Sequence, residues 1–93
     1  MPTLVRTAIV PRMSRKITLN PSSIDNGVVA TETFTVAGLR TNMFVLVSAP
    51  NLETGVKVVA ARCSAANTLE LTFWNFSGGT VNPASQVFFL VAL

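Results

Sequence analysis

The sequence predicts an all-β fold: a single compact antiparallel β-sandwich, jelly-roll or immunoglobulin-like or closed towards a barrel, with an extended basic N-terminal arm. Three observations predict it. A chain of 93 residues has room for one small domain. Apolar and polar residues alternate with the period of two typical of strands, and such stretches recur at intervals of roughly ten residues between turns rich in Gly, Pro and Asn. We therefore divide the chain into residues 1–16, an N-terminal arm or first strand, and residues 17–93, the β-sandwich domain.

Three strands are predicted in the first half of the domain. Residues 17–20 form a short strand that leads into a turn cluster. In VVATETFTVAG, Phe34 and Val36 lie on one face of a strand and the threonines lie on the other, as in a half-solvated strand. Residues 43–47 are apolar on both faces, which predicts a central strand covered on each side. Pro50 follows and ends this strand.

The segment after Pro50 is the one place where a helix competes with a strand. Residues 55–62 read GVKVVAAR, and the alanines here and just beyond tolerate a helix. The valines and Gly55 favour a strand instead. As a strand, the segment places Val56, Val58 and Ala60 on one face.

The last two predicted strands are residues 67–76 and 86–93. Gly78-Gly79 lies between them and is interpreted as a hairpin turn, because the Lys-Ser/Thr of a phosphate-binding loop is missing. The final strand contains VFFLVAL, which is apolar on both faces. We therefore expect it to be central in its sheet or buried between subunits.

The only Trp of the chain stands in TLELTFWNF. If the leucines and Phe73 point into the core, strict alternation turns Trp74 and Phe76 outward. The alternative is a β-bulge near Asn75, which would shift the register and turn one aromatic ring inward. Because amphipathic aromatic side chains are common anchors at protein interfaces, we expect another subunit to cover Trp74 and Phe76.

The composition predicts association. Apolar residues make up 49% of the chain and charged residues 12%, against about 25% charged residues in a typical soluble domain. A small domain cannot bury so much apolar material, and a contiguous exposed apolar patch usually marks a contact surface. The single cysteine, Cys63, ends an apolar run and is expected to be a buried structural thiol. We expect a homo-oligomer or a part of an assembly.

The N-terminal segment differs chemically from the rest, since it holds four of the seven basic residues and no acid. One interpretation is an ordinary first strand, LVRTAIV, in the chain's own sheet. The other is an arm that pairs with the edge of a neighbouring subunit. The segment lacks the apolar core of a signal peptide, and the chain has no apolar run of eighteen residues, so we expect a protein made in a cytoplasm and no membrane partner.

No catalytic, cofactor-binding or metal-binding constellation is recognisable, and we expect no enzyme. The chain has no His and no Tyr, which excludes histidine-activated nucleophiles and histidine metal ligands. The acids number four. Glu32 and Glu70 are the one pair that cross-strand contact could bring together as in a glycosidase, but single exposed glutamates need no such role.

A nucleic-acid-binding or carbohydrate-binding β module is the further alternative. The pI is near 10.0, and oligonucleotide-binding barrels combine basic grooves with stacking aromatic rings. Beyond residue 16, however, three basic residues stand against four acids, and neither Trp74 nor Phe76 has a basic neighbour in sequence. A flat ring such as Trp74 can stack on a sugar, but the polar partners are missing. We therefore do not expect a nucleic acid partner.

Residues 17–93 resemble small virion structural proteins of tailed bacteriophages, of the capsid decoration or cement type. The resemblance rests on TFTVAGL after an Asn-Gly turn, on VSAPNLETGVKVVAARCSAANTLELTFWN, and on a Val-Asn-Pro turn before a closing apolar strand. These motifs are turn residues and alternating apolar residues, which other small β domains share. The first sixteen residues and the aromatic positions of the last two strands have no counterpart in the pattern.

The resemblance implies a phage virion structural protein that binds the assembled head shell and stabilises it. The alternative within the same class is a component of the tail, neck or baseplate. The implied location is the surface of the phage head after assembly in the host cytoplasm, and the implied partners are the major capsid protein and further copies of the chain, with a trimer favoured. The expected capsid and subunit contacts are the aromatic and basic side chains Arg6, Arg12, Arg15, Lys16, Trp74, Phe76, Phe88 and Phe89.

Overall fold

The structure, a computed structural model, describes residues 11–93. Six strands follow one another along the described chain, and they pair into two antiparallel three-stranded sheets, the first in the order β1-β6-β3 and the second in the order β2-β5-β4. The two sheets pack on each other, which confirms the predicted all-β sandwich. The strands are β1 (Met13–Leu19), β2 (Val29–Thr35), β3 (Val45–Ser48), β4 (Val56–Ala65), β5 (Thr68–Asn75) and β6 (Gln86–Ala92).

The core lies between the two middle strands, β5 and β6. Phe73 of β5 and Phe88 of β6 meet edge to face, with ring centroids 6.5 Å apart and ring planes at 80°, an arrangement that aromatic pairs prefer. The inward leucines of both strands are completely buried. The prediction that the C-terminal strand is central in its sheet is confirmed, because β6 pairs with β1 on one side and with β3 on the other.

The prediction of a central strand at residues 43–47 is wrong. β3 is an edge strand, paired only with β6 among the described strands. Val45 and Val47 face the core, whereas Phe44 is 63% and Leu46 50% exposed. A strand that is apolar on both faces need not be covered on both faces by its own chain, because another molecule can cover the outer face.

β4 confirms the strand prediction but not the predicted grouping of its side chains. The pairing with β5 shifts between Val58 and Ala60, so Val59 is an extra residue, the arrangement of a β-bulge. Val56, Val58 and Ala61 consequently face the core, while Ala60 is exposed. The sequence prediction had placed Ala60 with Val56 because strict alternation has no place for an inserted residue.

The first strand is longer than predicted at its N-terminal end. β1 begins at Met13, and its pairing with β6 runs from Met13 opposite Ala92 to Leu19 opposite Gln86. Residues 13–16, which the sequence analysis assigned to the N-terminal segment, are therefore the first four residues of this strand. No helix within residues 11–93 is long and apolar enough to cross a membrane.

Candidate interaction surfaces

The alternation of β5 continues through TFWNF without a bulge in that strand. Phe73 is 1% exposed, Trp74 is 42% exposed, Asn75 is fully buried and Phe76 is 43% exposed. The prediction that Trp74 and Phe76 face outward is confirmed, and the predicted alternative of a bulge near Asn75 is wrong. The unusual feature is the polarity, since the inward position holds an amide and the outward positions hold large aromatic rings.

Asn75 is the buried polar residue that the sequence analysis did not identify as important. Its Nδ2 donates to the carbonyl oxygens of Ile24 and Gly79, each at 2.8 Å, and its Oδ1 accepts from the backbone N–H of Ser77 at 2.9 Å. A buried amide is tolerated where its donors and acceptor are paired. Asn75 thereby ties the end of β5 to two loops, and Trp74 and Phe76 are the residues on either side of it.

The first candidate surface, here called the Trp74 patch, consists of Val29, Lys57, Trp74 and Phe76. Val29, Trp74 and Lys57 lie side by side on β2, β5 and β4. The Trp74 and Phe76 rings are 4.7 Å apart, and Lys57 Nζ lies 5.8 Å from the centre of the Phe76 ring, a distance suited to a cation–π contact. Cross-strand pairing supplies this basic neighbour, which is distant in sequence.

The connection after β5 holds the Trp74 patch in place. The Phe76 N–H donates to the carbonyl oxygen of Gly55 at 2.7 Å. Gly78, which has φ +94°, donates its N–H to Asn26 Oδ1 at 3.0 Å. The predicted hairpin at Gly78-Gly79 is wrong, because β5 and β6 belong to different sheets. The two glycines lie in a turn that carries the chain from one sheet to the other.

The second candidate surface, here called the Phe89 face, is the outer face of the first sheet. It consists of Lys16, Phe44, Leu46, Phe89 and Val91. Leu46 lies beside Val91, and Lys16 lies beside Phe89 with its Nζ 5.5 Å from the ring centre. A depression of about 380 Å³ runs between β1 and β6 next to Phe89. Phe89 was expected here, but Phe44 and Leu46 were missed because β3 was taken for a covered strand.

The predicted contact residues separate into different roles. Trp74, Phe76 and Phe89 are exposed, whereas Phe88 is fully buried. Phe88 is therefore a core residue, and the expectation that it contacts another protein is wrong, because strand alternation turns neighbouring Phe88 and Phe89 to opposite faces.

The basic residues of the N-terminal segment also differ from one another in role. Arg15 donates to the carbonyl oxygen of Ala37 at 2.8 Å, and Arg12 donates to Asn42 Oδ1 at 3.4 Å, so both reach the β2–β3 connection. Only Lys16 of the three faces outward on the sheet, beside Phe89. Arg6 lies outside the described residues.

The acidic side chains of the described chain have structural partners. Glu32 lies opposite Leu71 and Glu70 opposite Thr33, so the two glutamates point to opposite faces of their sheet and form no catalytic pair. Glu32 accepts from the Ser22 N–H at 2.9 Å. Glu70 forms an ion pair with Arg62. The hydrogen bond from Arg62 lowers the pKa of Glu70, and the same contact raises the pKa of Arg62.

Glu53 links the β3–β4 connection to the segment before β6. It accepts from the Ala84 N–H at 2.7 Å and from Gln86 Nε2 at 2.9 Å. Partial burial opposes ionisation of Glu53, but these hydrogen bonds outweigh it and hold its pKa below the ordinary value. Within residues 11–93 no three His, Cys, Asp or Glu side chains come together as a metal site. Cys63 is free and buried, as predicted.

Comparison with known proteins adds no relative. No family model, no curated protein and no solved structure matches this chain. The two surfaces are therefore interpreted from their own chemistry. Each presents exposed aromatic side chains beside one lysine on an outer sheet face, and an arrangement of this kind fits docking against another macromolecular surface.

Proposed function

We propose that the protein is a structural component of a phage virion, a decoration or cement protein that binds the assembled head shell. The observation that carries the proposal is the exposure of large apolar side chains on the outer faces of both sheets. A sandwich with two such faces can contact two neighbours at once. A protein that contacts adjacent shell subunits stabilises the shell, since it binds the assembled state and not the separate subunits.

The proposed contacts follow from the geometry of the two surfaces. Trp74 and Phe76 present aromatic surface beside Lys57, and Phe89 presents it beside Lys16. In both places a cation borders an apolar centre, the pattern of a hydrophobic core with a polar rim found at protein interfaces. The partners are the major capsid protein and further copies of the chain, and Arg6 would add a charged contact from the N-terminal segment.

Cryo-electron microscopy of purified virions of the phage that encodes the chain tests the proposal. We expect copies distributed over the whole head, with the Trp74 patch or the Phe89 face against the capsid. Copies restricted to one ring at the tail, neck or baseplate would replace the head assignment by the alternative within the same class. A virion without density for this chain would overturn both.

A biochemical test uses single substitutions on the proposed surfaces. Trp74→Ala and Phe89→Ala should each lower the affinity for shells, measured by cosedimentation, by tenfold or more. A tenfold loss corresponds to about 1.4 kcal/mol, and the loss of an interface anchor is expected to cost at least that much. Thr33→Ala is the matched control, because Thr33 is exposed on the same outer sheet face as Trp74 but lies two outward-facing rows away from the patch. Equal binding by all variants would contradict the proposed contacts.

A further inference from the structure

The four edges of the sandwich differ in how they are protected against pairing with another chain. β1 carries Arg15 and Lys16, and charged residues on an edge oppose the addition of a strand. β4 carries Lys57 and Arg62 and has two register shifts, and such bulges also block pairing. β2 carries the charged Glu32 in its middle, which opposes the addition of a strand at that edge.

β3 has none of these protections. Its sequence is VLVS, without charge, proline or bulge. No charged residue occurs between Arg40 and Glu53. β3 is short, with four residues, but it lacks the charges and bulges that oppose the addition of a further strand at the other edges. An opening of about 190 Å³ lies beside it, lined by residues 45–47 of β3 and 58–61 of β4.

The phase of the hydrogen bonds shows which backbone groups of β3 have no partner among residues 11–93. Phe44 and Leu93 exchange both of their backbone hydrogen bonds, at 3.0 and 2.8 Å. The even-numbered residues Phe44, Leu46 and Ser48 therefore bond to β6. The odd-numbered residues between them point their N–H and C=O groups the other way, as in any antiparallel strand. Val45 and Val47 thus direct their backbone groups to the open edge.

We infer that β3 pairs with β3 of a second copy, antiparallel, around a twofold axis at Leu46. In this register Val45 lies opposite Val47 of the second copy, and each of the two Val45–Val47 pairs exchanges two hydrogen bonds. The two Leu46 side chains face each other on the outer surface. All free backbone groups of β3 are then satisfied, and the first sheets of the two copies join into one continuous sheet.

A second copy is the occupant that the edge itself favours. A twofold contact places the same patch on both sides, so the patch must be complementary to itself. An uncharged strand meets its own copy without repulsion, and its free hydrogen-bonding groups match under the twofold axis. The pairing also brings the Phe89 faces of the two copies side by side. The inference holds whether or not the protein belongs to a virion.

Cross-linking tests the register. In a Cys63→Ala background, Leu46→Cys should form a disulfide-linked dimer on mild oxidation, because directly opposite residues of a non-hydrogen-bonded pair have Cβ atoms about 5 Å apart. Phe44→Cys is the matched control. It is more exposed than Leu46, but two copies of residue 44 would lie about 13 Å apart along the strands and should not cross-link. Equal cross-linking at both positions, or none at Leu46→Cys, would overturn the inference.

Sedimentation equilibrium of the purified chain tests the pairing itself. We expect a concentration-dependent dimer whose Kd rises at least tenfold in Val47→Pro, because proline removes a free N–H of the β3 edge. Thr18→Pro is the control. Alternate residues of β1 also point their backbone groups away from β6, and Thr18 is one of these, so its N–H is directed to the open edge of β1. A wild-type chain that stays monomeric at every concentration would overturn the inference. The same holds if its β3 edge pairs only with a strand from another protein. So would a dimer that Thr18→Pro weakens as much as Val47→Pro.

Discussion

At the residue scale, the segment Phe73-Trp74-Asn75-Phe76 inverts the usual relation between polarity and burial. Asn75 is fully buried, whereas Trp74 and Phe76 are more than 40% exposed. The amide is tolerated inside because Ile24, Gly79 and Ser77 satisfy its hydrogen-bonding groups. Burying an amide without partners would cost more than burying an aromatic ring gains. The two aromatic rings outside contact each other and Lys57 but stay largely exposed, which makes them the residues to test for function.

Asn75→Ala is expected to destabilise the fold by about 3 kcal/mol, because it removes three hydrogen bonds of a fully buried side chain, each worth about 1 kcal/mol. Urea unfolding followed by tryptophan fluorescence measures the change. Asn51→Ala is the control, since Asn51 is exposed and should change stability little. A loss as small as that of the control would show that water replaces the amide without cost.

Trp74→Ala is expected to lower the free energy of unfolding by about 1 kcal/mol or less, because the side chain is at the surface. Circular dichroism during urea unfolding measures it, since the substitution removes the fluorescent residue. Phe73→Ala, its buried neighbour, should cost about 3–5 kcal/mol. A Trp74→Ala variant as unstable as Phe73→Ala would identify the tryptophan as a folding residue and remove it from the proposed interface.

At the element scale, the connections determine where the surfaces lie. The turn after β5 rests against Gly55, whose φ is +84° and where an added Cβ would lie 2.6 Å from Ser77 Cβ and 2.7 Å from Ser77 Cα. The β3–β4 and β5–β6 connections are thus packed together at this glycine. The same β3–β4 connection reaches the segment before β6 through Glu53. These contacts fix the end of the sandwich that carries Trp74 and Phe76.

Gly55→Ala is expected to cost at least about 2 kcal/mol, from the left-handed backbone conformation and from the clash with the Ser77 backbone. Thermal unfolding measures the loss. Gly27→Ala provides the comparison, since Gly27 also has positive φ but an added Cβ there meets nothing within 4 Å. We expect the smaller loss at Gly27, and equal losses would mean that the close approach at Ser77 relaxes freely.

The stabilising effect of Glu53 should depend on pH. Its pKa is lower in the folded protein than in the unfolded chain, so its contribution is present above the unfolded value and is lost as pH falls through the folded value. Glu53→Gln should therefore be less stable than the wild type at neutral pH, and the difference should shrink as the pH falls below about 4.5. Urea unfolding at several pH values measures it. A difference that is constant with pH would show that packing, and not charge, carries the effect.

At the scale of the whole molecule, the described sandwich has more apolar surface than its own fold can cover. Large apolar side chains are exposed on the outer faces of both sheets, and the β3 edge has no partner within residues 11–93. The basic residues are spread over different elements, with Lys16 and Lys57 on separate faces. The molecule therefore lacks a continuous basic groove in its described part and presents apolar surfaces instead.

Binding through these surfaces should resist salt. At an ionic strength of about 1 M the Debye length falls to about 3 Å, so contacts between exposed charges are screened. We expect the affinity for shells to change little between low and high salt, as measured by cosedimentation. A steep linear fall of log affinity with log salt would instead indicate counterion release and a nucleic acid partner.

The sequence by itself determined the fold class, the six strands to within a few residues, the outward direction of Trp74 and Phe76, and the burial of Cys63. These follow from local periodicity and turn chemistry, which are properties of neighbouring residues along the chain. The tertiary structure alone decided that β3 lies at an edge, that β4 contains a bulge at Val59, that Phe88 belongs to the core, and that Asn75 joins two loops. Each of these depends on which distant strand or loop comes to lie beside a residue, and strand order and register are set by packing of the whole chain.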